Sequence, residues 1–386
     1  MLIDPACPLE KARPVCSRPG DLSSGLELIL PGDMMELWVN VPVREKFVAA
    51  SPYRLLHRHG AFQIHDERND LAYPVKLAPN PDWYETPTLS GIPMSQVAFL
   101  SGTVLMVDLS PPCRFWKDEE KLACRFCRKA EAGSAAPGKT IEDVVETALM
   151  ARKKSGTTFA LLRGGYDGQG GLARSFPHVK ALKARVGTLI GLQFPAEPDF
   201  TLYDQARALG VDHFSFSVEF FNREYHERLA PGKSSVLQRE RVLQAIEHCA
   251  QTCGKGRVSV DVIVGIEPIE DTMRAIDYII GIGALPLVHI FRPSLGTEME
   301  DCAAPDPSEM LLVFRHVYES CRSHNLPLGM LPNLHVSTLP HPIDTLYLAS
   351  DMEDSRSYQR WMLTMKEMMR PYFLRRMRKQ TTPQKA

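Results

Sequence analysis

Six short apolar runs alternate with amphipathic segments in the middle of the chain. The runs cover residues 104–109, 158–163, 188–194, 213–219, 258–264 and 286–291, and each has the length and composition of a buried strand. The segments between them place apolar residues at helical intervals. Such alternation predicts right-handed crossovers and a parallel sheet covered by helices, which is an α/β fold. Six units fit either an open doubly wound sheet or a partial barrel, because a complete barrel has eight.

The first of these helices is marked at its start by Thr140-Ile-Glu-Asp143, a capping-box pattern. Its predicted buried face contains Ile141, Val144, Val145, Ala148 and Leu149. In a later helix, Cys249 and Cys253 fall on the apolar face, where small buried cysteines are common. We therefore expect both cysteines to be core residues rather than ligands of a second metal cluster.

Polar residues line one face of the fourth and fifth predicted strands, by the two-residue period of side chains in a strand. They are His213, Ser215, Ser217 and Glu219 in the fourth strand, and the corresponding face of the fifth strand holds Ser259, Asp261, Ile263 and Gly265. The opposite faces are apolar and suit packing against helices. We therefore expect Glu219 and Asp261 to point into a barrel interior with a polar mouth, where parallel βα folds bind ligands.

The flanking regions predict two additions to this core. Trp38–Val43 and Phe62–His65 have strand character, and the proline-rich stretch 73–88 predicts a connector. At the other end, residues 308–324 predict a helix, and residues 355–379 predict a Met-rich helix that ends in a basic run. The methionines and the basic charges are typical of packing and of a solvated surface.

Composition sets the context of the chemistry. The chain has 386 residues, enough for a large core, and a formal net charge of -1, which gives no general attraction to nucleic acids or acidic membranes. No apolar run approaches the roughly 20 residues that span a bilayer, and the N-terminus lacks the regions of a signal peptide. We therefore expect a cytoplasmic protein whose nine cysteines are reduced and, where clustered, bind metal.

Three of these cysteines, Cys113, Cys124 and Cys127, lie within one loop after the first predicted strand. A [4Fe–4S] cluster is held by thiolates, and three protein thiolates leave one iron free to bind a small molecule. A structural zinc site normally has four protein ligands, and no second Cys-x-x-Cys pair or histidine lies nearby in the sequence. The loop therefore favours an open iron–sulfur cluster, with a zinc site or unligated thiols as alternatives.

The first strand, the cysteine loop ending in Cys124-Arg-Phe-Cys127 and the motifs downstream resemble the radical S-adenosylmethionine (radical SAM) superfamily over about residues 95–300. The spacing departs from that family, because ten residues separate Cys113 from Cys124 where most members have three. The resemblance implies a [4Fe–4S] cluster on the three cysteines, with S-adenosylmethionine on the open iron. It further implies reductive cleavage to a 5′-deoxyadenosyl radical, which abstracts hydrogen from a small-molecule substrate. An electron donor such as flavodoxin or ferredoxin is the implied partner.

The resemblance also assigns residues after the second strand to S-adenosylmethionine. Gly164, Gly165 and Tyr166 occupy the positions of a Gly-Gly-Glu element that meets the methionine amino group. Glycine permits the close backbone approach, and Asp167 is a candidate replacement for the acid that Tyr166 displaces. A flexible turn is the alternative interpretation of this segment.

Residues after the later strands complete the assignment. Ser217 and Glu219 match the fourth-strand motif whose carboxylate contacts the ribose, the alternative for Glu219 being an exposed strand-end acid. Ile263 and Gly265 match the fifth-strand pattern that packs against the adenine. Arg292 follows the sixth strand, where it reaches substrate or the methionine carboxylate, or is purely structural. No residue is assigned to catalysis.

A narrower resemblance concerns the segment 90–100, the widened cysteine loop and Leu229-Ala-Pro-Gly-Lys-Ser234. Together they are similar to a biotin-synthase-like branch that includes radical SAM proteins of nitrilase and cyanide-assimilation gene clusters. The glycine-rich segment 164–171 departs from that branch. No sequence feature names the substrate.

These features predict a partial (βα)6 TIM-like barrel of parallel strands, the radical SAM core, at residues 93–305. A small β-rich N-terminal extension is expected at residues 1–92, and a helical C-terminal segment with a basic tail at 306–386. The expected function is that of a radical SAM enzyme acting on a small molecule, with neither a membrane nor nucleic acid as partner. Two alternatives stay open: sulfur insertion of the biotin or lipoyl synthase kind, which uses an auxiliary cluster, and a non-catalytic metal-binding barrel.

Overall fold

The computed structural model describes residues 1–13, 25–31, 36–109, 113–117, 120–128, 138–168, 171–326, 334–335 and 352–379. Two β-sheets account for the strands in these regions. The first sheet is formed by strands between residues 2 and 77, and the second by strands between residues 99 and 290. Helices alternate with the strands of the second sheet, so the protein is a mixed α/β protein.

The strands of the first sheet are β1 Leu2–Ile3, β2 Leu26–Leu30, β3 Leu37–Val41, β4 Tyr53–Arg58, β5 Ala61–Asp66 and β6 Leu71–Leu77. Their order is β1-β4-β5-β6-β2-β3, and β1 and β4 form the parallel pair. Strand β6 overlaps the stretch 73–88, so the prediction of a connector is wrong for residues 73–77. Pro74 fits because β6 pairs with β2 at Lys76 and Leu77, which leaves an unpaired edge beside the proline.

The second sheet contains β7 Phe99–Ser101, β8 Val104–Asp108, β9 Phe159–Arg163, β10 Leu189–Gln193, β11 His213–Glu219, β12 Val258–Val264 and β13 Leu285–Ile290. Neighbouring strands follow chain order, with β7 antiparallel to β8 and all later pairs parallel. Because the order never reverses, this sheet lacks the switch point of a doubly wound sheet and curls as a half-barrel. The carboxyl ends of β8 to β13 therefore lie at one edge.

The described α-helices are α1 Met94–Val97, α2 Arg114–Lys117, α3 Ile141–Ser155, α4 Phe176–Arg185, α5 Thr201–Ala208, α6 Arg223–Leu229, α7 Arg239–Cys253, α8 Ile269–Gly281, α9 Pro307–Ser323 and α10 Met352–Lys379. Val260 and Val262 of β12 line a common space with Ile246 of α7 and Ile279 of α8. The apolar face of β12 therefore meets the helices, and its polar face lies on the concave side. None of the helices that the structure describes is both long and apolar enough to cross a bilayer.

Two details of the helices test the sequence pattern. Leu149 of α3 is 41% exposed, contrary to its predicted burial. It follows the buried Val144 by five residues, which places it about 140° away around the helix. In α7, Cys249 is fully buried in the core and Cys253 packs against the core, as the periodicity predicts.

The first sheet contacts both ends of the second. Arg13 forms a buried ion pair with Glu27 and donates to the carbonyl oxygen of Gly102 (2.8 Å), in the turn between β7 and β8. The Gly102 N–H in turn donates to Glu27 Oε1 (2.8 Å). Beyond β13, the Arg292 guanidinium donates to the side chain and backbone oxygens of Asn40 (2.6 Å each). These contacts favour the structural interpretation of Arg292.

The capping box of α3 forms as predicted. Thr140 Oγ1 accepts from the Asp143 N–H (3.1 Å), and Asp143 Oδ2 accepts from the Thr140 N–H (2.8 Å). Burial alone would raise the pKa of the Asp143 carboxyl, but the surrounding donors, including Thr88 and Thr140, lower it to about 2. The ionised carboxylate therefore stabilises the start of α3.

Replacing Asp143 with Asn is expected to lower the free energy of unfolding at pH 7 by about 1 kcal/mol, because the charged half of the cap is lost. The higher free energy of unfolding of wild type should persist above about pH 4 and disappear as the pH falls toward 2. The reason is that the pKa of the Asp143 carboxyl is lower in the folded protein than in the unfolded chain. Urea unfolding at pH 7 to 3 measures this. Glu142→Gln, in the same turn but exposed, should stay close to wild type. An Asp143→Asn deficit that does not change with pH would contradict the prediction.

Candidate functional site

The cysteine loop connects β8 to α3 at the carboxyl edge of the second sheet. Cys113 directly precedes α2, and Cys124 and Cys127 share a turn closed by a hydrogen bond from the Cys127 N–H to the Cys124 carbonyl oxygen (3.0 Å). None of the three forms a disulfide with another described cysteine; Cys124 is buried and the other two are half-buried. The electrostatic environment of the Cys124 thiol includes both Cys113 and Cys127, so the structure brings the three predicted ligands together.

Apolar side chains seal the loop against the sheet. Cys124 and Phe126 pack in one buried cluster with Phe220, Ile263 and Phe291, which follow or end strands β11, β12 and β13. The rings of Phe126 and Phe220 meet edge to face, with centroids 5.5 Å apart. Burial raises the pKa of the Cys124 thiol. The Cys124 thiol therefore lies in a region from which water is largely excluded, and the other two thiols are half-buried.

The glycine-rich segment after β9 packs directly on Cys113. A methyl group on Gly165 would lie 3.0 Å from Cys113 Cβ and 3.2 Å from its Cα. The Arg114 N–H donates to the carbonyl oxygen of Tyr166 (2.7 Å), whose ring stacks on Phe115 at 4.6 Å. Gly164 is fixed by its N–H, which donates to the carbonyl oxygen of Gln193 at the end of β10 (3.0 Å). Residues 164–166 are thus in direct contact with the cysteine loop or the end of β10.

The neighbouring acid Asp167 has its own partner. Its buried side chain forms an ion pair with Arg174. Asp167 therefore belongs to a local pair after the glycines, whereas the neighbouring Tyr166 places its ring on Phe115 of the cysteine loop.

A second glycine-containing segment, residues 229–234, holds the loop from the other side. The Arg125 N–H donates to the carbonyl oxygen of Leu229 (2.9 Å). A methyl group on Gly232 would lie 2.5 Å from the Leu122 carbonyl oxygen and 2.8 Å from the Phe115 ring. The cysteine loop is therefore clamped between residues 164–168 and 229–234, and both contacts need glycine.

Glu219 ends β11 in an unusual conformation. The register of β11 and β12 shifts between Ser217 and Glu219, and Glu219 has a φ of 60°, in the left-handed region. The regular alternation expected for this strand therefore stops before Glu219. The residue is 4% exposed, which contradicts the alternative of an exposed strand-end acid.

The buried Glu219 carboxylate is paired with Lys233, which begins a π-helical turn, Lys233–Leu237. Burial would lower the pKa of Lys233, but Glu219 and the neighbouring Cys124 raise it above its ordinary value. Glu219 uses Oε1 for this pair, and its Oε2 has no hydrogen-bond partner in the structure. One carboxylate oxygen is thus available beside the cysteine loop.

The remaining predicted residues divide between the loop and the sheet interior. Ile263 contacts the cluster around Cys124, whereas Ser217 lies deeper and donates to Asp261 Oδ2 (3.0 Å). Gly265 has a φ of 93°, and a methyl group there would lie 2.4 Å from Pro305. Backbone conformation and this contact already require glycine at position 265.

Sequence reasoning missed three polar residues near this site. Lys233 lies in the segment 229–234, which is similar to the biotin-synthase-like branch, but nothing in the sequence pairs Lys233 with Glu219. Gln193 and His289 end or nearly end β10 and β13, and both approach Asp261. Polar residues at the last positions of apolar strands were the signal that would have found them.

The part of the chain that the structure describes contains no group of three or more His, Cys, Asp or Glu placed to hold one metal ion.

Comparison with known proteins finds partial likenesses. No family model matches the chain. Bacteriochlorophyllide c C-7(1)-hydroxylase of Chlorobaculum limnaeum is 26% identical over 102 residues, which are 26% of this chain and 25% of the hydroxylase. Coproporphyrinogen III oxidase (HemN) of Escherichia coli, a radical SAM enzyme, aligns with a TM-score of 0.35 and 16% identity over 44% of this chain and 41% of its own. Methylornithine synthase (PylB) aligns with a TM-score of 0.44 and 20% identity over 58% of this chain and 64% of the synthase. At these TM-scores neither structure carries an argument about the reaction.

Replacing Gly232 with Ala is expected to lower the free energy of unfolding by about 1–3 kcal/mol, because the new methyl group overlaps backbone of the cysteine loop. Amide hydrogen exchange at residues 120–128 should accelerate. Gly281→Ala is the matched control, since a methyl group there meets nothing within 4 Å, and it should leave both measurements near wild type. Equal exchange in both variants would mean that residues 229–234 do not hold the loop.

Proposed function

We propose that this protein is a radical SAM enzyme whose [4Fe–4S] cluster is held by Cys113, Cys124 and Cys127. The observation that carries the proposal is the convergence of three cysteine thiols, one of them buried, in a loop that is clamped at the carboxyl edge of a parallel sheet. That edge is where parallel βα folds bind ligands. The partial likeness to a hydroxylase and to HemN agrees with this class without establishing it.

The donor set fits an iron–sulfur cluster. Cys113, Cys127 and Glu219 all lie in the electrostatic environment of the Cys124 thiol, and thiolates are the ligands that iron–sulfur clusters use. In a cubane each thiolate binds a different iron, so the ligands need not meet at one point. When bound, the cluster and S-adenosylmethionine supply a 5′-deoxyadenosyl radical that abstracts hydrogen from a small-molecule substrate.

The chain's own residues bind, orient and exclude water. Gly164, Gly165 and Tyr166 present backbone beside Cys113, and Glu219 presents an unpartnered carboxylate oxygen suited to a ribose hydroxyl. Lys233 fixes the other oxygen of Glu219 through their ion pair. Ser217, Ile263 and Gly265 are proposed to line the same cofactor site from the strands.

The finer parts of the proposal follow from this class. The half-barrel is proposed to be a partial (βα)6 TIM-like barrel at residues 93–305, with 1–92 as an N-terminal extension and 306–386 as a C-terminal segment. The enzyme is proposed to work in the cytoplasm with flavodoxin or ferredoxin as electron donor. The biotin-synthase-like branch is supported by residues 229–234, which contact the cysteine loop.

Anaerobically reconstituted wild-type protein is expected to hold about four irons per chain, and Cys124→Ala is expected to lose most of them because a ligand is missing. With dithionite and S-adenosylmethionine, wild type should release 5′-deoxyadenosine, measured by mass spectrometry, and Cys124→Ala should not. Cys302→Ala removes an exposed cysteine outside the loop and should match wild type. About four irons per wild-type chain without release of 5′-deoxyadenosine would support the non-catalytic alternative. The same iron content in Cys124→Ala would exclude Cys124 as a ligand.

Glu219→Gln is expected to weaken S-adenosylmethionine binding to the reconstituted protein by about tenfold, since a neutral amide replaces a charged acceptor. Anaerobic calorimetry measures the Kd, and iron content verifies that the loop is intact. Glu224→Gln, on the exposed side of α6, is the control and should bind like wild type. An unchanged Kd for Glu219→Gln would remove Glu219 from the cofactor site.

A further inference from the structure

Polar side chains from four neighbouring strands meet on the concave face of the second sheet. Gln193 of β10 donates from Nε2 to Asp261 Oδ2 (2.6 Å), and Ser217 of β11 donates to the same oxygen (3.0 Å). His289 of β13 places Nε2 3.4 Å from the other carboxylate oxygen, Oδ1. We name Gln193, Ser217, Asp261 and His289 the lumen cluster. It lies opposite the apolar face of β12, which meets the helices.

Nε2 of His289 is buried without a hydrogen-bond partner among the described residues, and Oδ1 of Asp261 lies 3.4 Å from it. The side chains of Asp261 and His289 are 8% and 12% exposed, so bulk water does not solvate them freely. A buried polar atom normally has a partner, because leaving it unpaired is costly. Because Nε2 and Oδ1 are 3.4 Å apart, one donor atom can lie at hydrogen-bond distance from each.

In the described part of the chain, His289 is the ion-pair partner of Asp261, and no lysine or arginine pairs with Asp261. His213, on the same face, is hydrogen-bonded to Ser259 (2.8 Å), and burial lowers its pKa to about 4, so it is neutral at pH 7. A buried carboxylate supported by neutral donors is a site for a cation.

We propose that the lumen cluster binds the primary ammonium group of a small-molecule substrate. The ammonium donates one hydrogen to Asp261 Oδ1 and another to His289 Nε2, and its charge balances the carboxylate. A hydroxyl has a single donor and satisfies one of the two atoms, and a carboxylate is repelled by Asp261. Gln193 and Ser217 are positioning residues, because they fix the carboxylate through its other oxygen.

The position of the cluster assigns this amine to the substrate. Asp261 precedes Ile263 by two residues on β12, about 7 Å deeper in the sheet. Ile263 packs against the cysteine loop, so a molecule anchored at Asp261 extends toward the loop from inside the half-barrel. This assignment rests on the proposed function and adds a substrate class to it, a small primary amine.

The test uses the full chain before cluster reconstitution and butylamine as the probe, with 1-butanol and butyrate as neutral and anionic analogues. Saturation-transfer NMR should show butylamine binding to wild type, with both analogues at least about tenfold weaker. Asp261→Asn retains an acceptor for Gln193 and Ser217 and turns Oδ1 into a donor, so butylamine binding should fall about tenfold. Asp277→Asn, in the exposed Asp277–His316 pair, is the matched control and should bind like wild type.

Equal binding of an analogue, or unchanged binding in Asp261→Asn, would overturn the proposal. Displacement of butylamine by S-adenosylmethionine would also overturn it, because the amine would then be the cofactor's own. Thermal unfolding checks that the Asp261→Asn variant is folded. If Asp261→Asn does not fold, His289→Leu is used in its place, and a similar loss of butylamine binding is expected. Amine binding without 5′-deoxyadenosine release would refute the proposed function alone. Release of 5′-deoxyadenosine by a protein whose lumen cluster does not bind butylamine would refute this inference alone.

Discussion

The shared direction of strands β8 to β13 determines where chemistry can occur in this protein. The loops that follow these strands all begin at the carboxyl edge of the sheet, although their residues are up to about 180 positions apart in the sequence. The cysteine loop, the glycines after β9, Glu219 and the loop after β13 become neighbours for this reason alone. Hydrogen bonding between parallel strands, rather than any single polar contact, therefore holds the site together.

Close packing then fixes the position of the cysteine loop at this edge. The cysteine loop has short contacts with residues 164–168 and 229–234, and Gly165 and Gly232 permit backbone to approach where a methyl group would not fit. Apolar groups such as Phe126 and Phe220 close the remaining gaps. The first sheet adds a second constraint, since its contacts with Gly102 and Arg292 bridge opposite ends of the half-barrel. A curled sheet with two free ends is thereby braced from outside.

The sequence was informative wherever a local pattern decides the structure. Strand positions, the capping box at Thr140 and the grouping of the cysteines all follow from short-range periodicity or spacing. It failed where a partner distant in the sequence decides the outcome. The ion pair of Glu219 with Lys233 and the approach of His289 to Asp261 depend on which loop follows which strand. No periodicity encodes such a relation.

Two smaller failures have a different origin. Pro74 suggested a connector because proline is usually excluded from paired strands, yet an unpaired edge of β6 accepts it. Leu149 suggested burial because it is apolar, yet the helical angle turns it toward solvent. In both cases residue type was given more weight than position. The polar residues of β11 and β12 were interpreted correctly because position and type agreed.

The left-handed backbone of Glu219 sets folding stability against chemistry at one position. A residue with a Cβ in that region is strained by about 1 kcal/mol or more, and glycine would relieve the strain. Replacing the glutamate would, however, leave the Lys233 ammonium without its partner, so the ion pair offsets the strain. The bulge at the end of β11 thus sets a strained backbone against an acid that is held beside the cysteines by a residue 14 positions later.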